Sequence, residues 1–121
     1  MLKIRGISGI KKLDDVKVPL THPVTGEVFG HLFANVKNLE EKRQEFSSEN
    51  GQLKGAPYCQ ASLKSFCTGW DFVDDETGDP LVFDLQTVLE LSRGVGVEWV
   101  GAPFVSAIQD TKNFYSKPNK T

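Results

Sequence analysis

The sequence predicts an α+β fold: an N-terminal antiparallel β-hairpin followed by about four short helices, with a small second hairpin placed around residues 70–83. Three observations carry this expectation. Residues 16–20 and 27–36 alternate in polarity with period two, as strands do. Residues 39–46, 57–67, 85–93 and 104–116 repeat their apolar positions at helical spacing. Apart from Pro19 and Gly30, proline and glycine fall between these segments or at their first position.

The first strand, Val16 to Leu20, contains Pro19, which has no N–H to give to a ladder and so belongs on a sheet edge. Thr21 to Gly26 reads as a turn. The second strand places Phe29, His31, Phe33 and Asn35 on one face and Val28, Leu32, Ala34 and Val36 on the other. Asn38 followed by Glu41 has the spacing of a capping box, so a charged helix is expected from Leu39 to Phe46, with Leu39, the Arg43 stem and Phe46 turned inward. Ser47 to Gly55 then reads as a loop. Pro57 opens a second helix with Cys59, Leu63, Phe66 and Cys67 on its apolar face and Gly69 at its end. Asp84 caps a third helix, Leu85 to Arg93, with Leu85, Val88, Leu89 and Ser92 inward and Gly94 beyond it. Gly94 to Gly101 is expected to be flexible or extended. Pro103 opens a fourth helix, Phe104 to about Ser116, with Phe104, Ala107, Ile108, Thr111 and Tyr115 on one face.

The 121 residues fit a single domain spanning 1–121, with 1–15 and 117–121 loosely ordered. Apolar residues make up 39% and charged residues 25%, enough for a real core with a generous polar fraction. A net charge of −2 and dispersed lysines, of which only Lys11 and Lys12 are adjacent, argue against nucleic acid as a partner. No stretch approaches the roughly 20 apolar residues that span a bilayer, and the N-terminus has no apolar run of signal-peptide type. No membrane is expected as a partner, and a cytoplasmic location follows as an expectation. If Cys59 and Cys67 share a helix, they lie roughly 12 Å apart along it. That exceeds the reach of a disulfide, about 7 Å between Cα atoms, so both are expected as free thiols.

Chemistry finds little purchase. The acidic stretch from Asp71 to Asp84 invites a calcium loop, but glycine falls one place early at Gly78 and the twelfth position is Leu85 instead of glutamate. Of the histidines, His22 sits beside Pro23 in a turn, where it is expected to be solvated. His31 sits in a strand on the face of Phe29 and Phe33, where a hydrogen-bonded or exposed histidine is expected rather than a catalytic base. Asp74 and Asp75 are adjacent and point different ways. Gly94 and Gly96 lack the third glycine of a dinucleotide loop and the lysine of a P-loop. The expectation is a non-enzymatic protein without metal or cofactor.

Gly69, Trp70 and Asp71 precede an acidic turn, Asp74, Asp75, Glu76 and Gly78, then an apolar run, Leu81 to Phe83, then a capped helix. This segment resembles one found in the tail assembly chaperones of long-tailed bacteriophages and related prophages. Phe33, Ala34, Asn35 and Val36 match the end of the family's first hairpin, the charged helix follows, and a C-terminal helix leads to an asparagine-containing basic tail. The similarity runs from Val16 to the C-terminal residue. Ser47 to Gly55 departs from it, because the family's helix is expected to continue there.

The resemblance implies a chaperone that binds the tape-measure protein before the tail tube forms, with the tail tube protein as a further partner and a tendency to self-associate. It implies residence in the bacterial host's cytoplasm and absence from the mature virion. Trp70, Trp99, Phe104, Phe114 and Tyr115 are then the expected partner-binding anchors, since aromatic side chains dominate interface energetics. Phe114 and Trp99 lead that set, because Trp70 and Phe104 also suit a core. Two rivals are a morphogenesis protein kept in the virion, such as a head–tail connector or tail-completion protein, and a small metal-dependent hydrolase built on Asp71, Asp74, Asp75 and Asp79. A bacterial regulatory module is a third.

Overall fold

A computed structural model describes residues 10–116. It is an α+β fold built on a three-stranded antiparallel sheet. Strand β1 is Lys11–Lys12 and strand β2 is Asp15–Thr21. Val16, Val18 and Leu20 of β2 are all buried, while Lys17, Pro19 and Thr21 face solvent. Strand β3, Val28–Asn35, pairs with β2 through Val16 opposite Ala34, Val18 opposite Leu32 and Leu20 opposite Gly30. The pairing matches the alternation in both strands, because a slip of one residue would turn every valine outward. As expected, β2 lies at the sheet edge, where Pro19 leaves no unpaired ladder position. His22 closes the turn: its Nδ1 accepts the N–H groups of Val24 and Thr25, at 3.1 and 3.2 Å. Val28, which alternation places on the face of Leu32 and Ala34, is exposed at the strand's outer end.

β3 runs directly into helix α1, Val36–Asn50. The cap is Asn35 rather than Asn38: Asn35 is extended at ψ 125° and its Oδ1 accepts the N–H of Asn38 at 2.9 Å. The strand's alternation leaves Asn35 on the outer face, free to turn back, and puts Val36 into the core at the same step. The helix also outlasts Phe46. No residue from Ser47 to Asn50 breaks it, Asn50 Nδ2 donates to the Phe46 carbonyl at 3.2 Å, and the first glycine is Gly51.

Helix α2, Ala56–Phe66, starts as expected around Pro57 but ends three residues before Gly69. Residues Cys67–Trp70 form strand β4 and complete the sheet in the order β2-β3-β4. The free edge of β3 outweighs helical spacing here: Ala34 takes Cys67, Phe33 takes Gly69 and Leu32 takes Trp70 as partners.

Cys59 and Cys67 are both free and buried. Burial pushes the Cys67 thiol from its ordinary 9.0 up to about 11, against a smaller opposing effect from a backbone hydrogen bond with Gly69. The folded chain holds this proton more tightly than the unfolded chain. Stability is therefore complete below pH 9 and falls as pH rises from 9 to 11, by about 2–3 kcal/mol for a two-unit shift. Urea unfolding at pH 7, 9, 10 and 11 should show that decline, and Cys67→Ala should flatten it. An unchanged decline in Cys67→Ala would remove the thiol as its source.

Beyond β4 the chain makes the second hairpin expected around 70–83, reduced to one bridge between Val73 and Pro80 and closed by Asp74 N–H to the Asp79 carbonyl at 2.8 Å. Helix α3, Leu85–Leu91, is capped by Asp84, which accepts the N–H of Gln86 at 3.1 Å and the hydroxyl of Thr87 at 2.8 Å. The stretch to Gly101 is neither extended nor loose. Residues Val97–Gly101 make a π-helical turn that runs into helix α4, Ala102–Gln109. This turn buries Val100 and Gly101 and leaves Trp99 half exposed.

Helix α4 stops seven residues short of Ser116. Asp110 leaves the helix at ψ 98° and its carboxylate accepts the N–H of Lys112, starting a 3₁₀ turn, Thr111–Phe114. A short aspartate competes with the helix for backbone donors in this way. Strand β5, Tyr115–Ser116, then pairs with β1, so residues 11–15 are tied down rather than loose. Thr111 and Tyr115, placed by helical spacing on one face with Phe104 and Ile108, are exposed, and Phe114 turns into the core instead. Residues 1–9 and 117–121, also expected to be loosely ordered, lie outside the described residues.

One continuous core joins Val16, Val18 and Leu20 to Leu39, Leu63, Val88, Val100, Phe104 and Ile108. Among the described residues, no helix is long and apolar enough to cross a membrane.

Candidate functional site: a ribbon of five aromatic rings

Five aromatic side chains from distant parts of the sequence meet at one end of the sheet. Trp99, from the π-helical turn, lies 5.6 Å from Phe29 at the start of β3, measured between ring centroids. Phe29 lies 5.8 Å from Phe72. Phe72 stacks on Trp70 at 4.7 Å and 26° between planes. Trp70 meets Phe83 edge-on at 5.3 Å and 79°. These separations lie in the range of favourable aromatic pairs. None of the five is fully buried, and Phe29 is 42% exposed. Exposed Val28, Val73, Leu81 and Val82 belong to the same segments as the rings.

Local structure fixes each ring. Gly30 is buried, and a Cβ there would lie 2.5 Å from Phe72 Cδ1, so the missing side chain is the seat for the Phe72 ring. Trp70 Nε1–H donates to the Leu81 carbonyl at 2.8 Å, which ties the two arms of the small hairpin together under the rings. Asp71, between Trp70 and Phe72, holds the segment to β3. Its Oδ1 accepts the His31 N–H at 2.5 Å, its Oδ2 contacts His31 Nδ1 at 2.8 Å, and its own N–H donates to the His31 carbonyl at 3.2 Å.

The His31–Asp71 contact joins an imidazole to an orienting carboxylate, two of the three parts of a hydrolytic triad. Sequence spacing kept these residues 40 positions apart. Among the described residues no hydroxyl or thiol is hydrogen-bonded to His31 Nε2, and the carboxylate is engaged by the strand backbone. The arrangement extends the β3–β4 ladder and positions Phe72.

The acidic turn is organised around itself. Asp74 Oδ1 accepts the N–H groups of Glu76 at 2.8 Å and Thr77 at 3.0 Å. These donors, Thr77 first, hold the Asp74 carboxyl below the usual carboxylate range. Gly78, at φ 75°, completes the turn. Among the described residues no three His, Cys, Asp or Glu side chains come together in a metal-holding group.

The five expected anchors separate cleanly. Trp70 and Trp99 belong to the ribbon. Phe104 and Phe114 do not reach the surface: they are 0% and 3% exposed, packed in the core by the inner face of α4 and by the early end of that helix. Phe114 also lies under the Arg43 guanidinium, 5.4 Å from its centre, so its nearness to the tail does not expose it. Tyr115 is 47% exposed on β5, paired opposite Lys12, and makes no ring contact with the ribbon. Phe29, Phe72 and Phe83 were not among the expected anchors. A lone glycine inside a strand, Gly30, was the available sign that something approaches that backbone closely.

No family model, no curated protein and no solved structure matches the chain.

Proposed function

We propose that the protein is a non-enzymatic binding protein whose partner docks on the aromatic ribbon, and that it acts as a phage or prophage tail assembly chaperone for the tape-measure protein. The ribbon supports this reading most directly. Partly exposed aromatic rings in a continuous line give a large apolar contact area at little cost in side-chain ordering. A chaperone for apolar helical segments needs such a surface, together with a polar remainder that keeps it in solution. The segment that carries the family resemblance, Gly69 to Asp84, is also the one that supplies Trp70, Phe72 and Phe83 to the ribbon.

Co-expression with the tape-measure protein of the same genome tests the reading. The two proteins should co-purify, and mass spectrometry of finished particles should find the tape measure without this chain. Failure to associate would sink the chaperone reading. Stoichiometric recovery of the chain from particles would favour a virion component, such as a connector or tail-completion protein.

A further inference from the structure

The segments that carry the ribbon are charged one-sidedly in sequence. Between Phe66 and Ser92 the chain carries seven acidic residues and no lysine or arginine, although its net charge is only −2, so the remaining residues carry five net positive charges. Every ring has an exposed acid within two positions in sequence: Glu27 by Phe29, Asp71 by Trp70 and Phe72, Asp84 by Phe83 and Glu98 by Trp99. No lysine or arginine lies within five positions of any ring. His31, the nearest basic side chain in sequence to Phe29, is engaged by Asp71.

From this juxtaposition we infer that the ribbon takes a basic amphipathic helix: one narrow apolar stripe bordered by lysine or arginine. This deepens, and rests on, the reading of the ribbon as the partner site. The successive ring contacts follow a contour of roughly 20 Å, which sets an upper limit of about four turns of helix at 5.4 Å each. A helix with apolar residues at i, i+3, i+4 and i+7 lays one or two side chains per turn along such a line. Its flanking cations then face Asp71, Asp75, Glu76 and Glu98, and like-charged flanks are repelled.

The chain's only two tryptophans, Trp70 and Trp99, both lie in the ribbon, so intrinsic fluorescence reports on it selectively. The probes are three Trp-free peptides of about 18 residues, about 27 Å as helices. One has a leucine stripe with lysine elsewhere, one has the same stripe with glutamate, and one has the lysine composition with the stripe scrambled. The lysine stripe peptide should shift the tryptophan emission and bind at least about tenfold tighter than either of the others, with affinity falling as salt rises. Phe29→Ala should abolish the preference for the stripe. The triple variant D75N/E76Q/E98Q should abolish the preference for lysine over glutamate while leaving the urea midpoint unchanged.

Equal binding of the lysine and glutamate stripes, or of the scrambled peptide, overturns the inference. Emission that changes with protein concentration and ignores the peptides puts a second copy of the chain on the ribbon and also overturns it. The two levels separate. Tape-measure capture without a charge preference ends the inference and leaves the chaperone reading. A charge preference without tape-measure capture does the reverse.

Discussion

Gly96→Ala should destabilise the protein by about 3–5 kcal/mol, an effect reserved for substitutions with a specific steric cause. Gly96 has an ordinary helical backbone, φ −64° and ψ −17°, so its conformation alone would accept alanine. The obstacle is space. A Cβ there would stand 1.7 Å from the Leu91 carbonyl oxygen and 2.8 Å from its carbon, and both atoms are backbone at the end of α3. A side chain can rotate aside, but a carbonyl in the last turn of a helix cannot move without unwinding it. Gly78 is the contrast: φ 75° strains any substitution, yet nothing lies within 4 Å of its Cβ position. Gly78→Ala should therefore cost only about 1 kcal/mol. Urea denaturation of both variants measures the difference. Gly96→Ala should also alter tryptophan emission in whatever fraction stays folded, because Trp99 follows three residues later. Equal costs for the two glycines would show that α3 and the π-helical turn do not pack as closely as described.

Phe104→Ala should cost a similar amount, about 3–5 kcal/mol, with the melting temperature lowered by more than about 10 °C. Phe104 is the largest fully buried side chain and sits on α4, which packs against β2 and α2. Its removal leaves a cavity that the fixed elements around it fill only in part. If Phe104 were a surface anchor, the same substitution would weaken partner binding and leave the melting curve in place. Phe104→Leu separates the two cases, since it keeps most of the buried volume. It should recover most of the stability and bind the partner as wild type does.

How far the sequence disclosed this fold depended on whether local or distant contacts decide an element. The β2–β3 hairpin was legible because alternation and burial agree at every inward position of β2, and Pro19 marked the edge. The Asp84 cap was legible because one side chain and two neighbouring donors make it. The end of α2 was not. Cys67 suits the helical face and is indeed buried, but Ala34 and Leu32 in β3 needed partners from outside their own hairpin. The cap of α1 slipped from Asn38 to Asn35 because a strand leading straight into a helix leaves no loop to mark the boundary. Asp110 and the pairing of Tyr115–Ser116 with Lys11–Lys12 shortened α4, and that pairing spans the whole described chain.

The candidate site was half legible for the same reason. Trp70 and Trp99 stood out as large aromatics beside turns. Phe104 and Phe114 look the same in a sequence, and only the packing of α4 against β2 and the break at Asp110 sends them inward. Phe29, Phe72 and Phe83 come from three separate segments, and what unites them is the Gly30 seat and the Asp71 tether across 40 residues.

The proposed function requires the partner to sit on the aromatic ribbon. Hydrogen–deuterium exchange of the chain, free and in complex with the tape-measure protein, tests it most directly. New protection should appear in the peptides covering residues 27–31, 70–83 and 97–99, with β1, β5 and α1 unchanged. Protection confined to β1, β5 or α1, with the ribbon peptides exchanging as in the free protein, would contradict it.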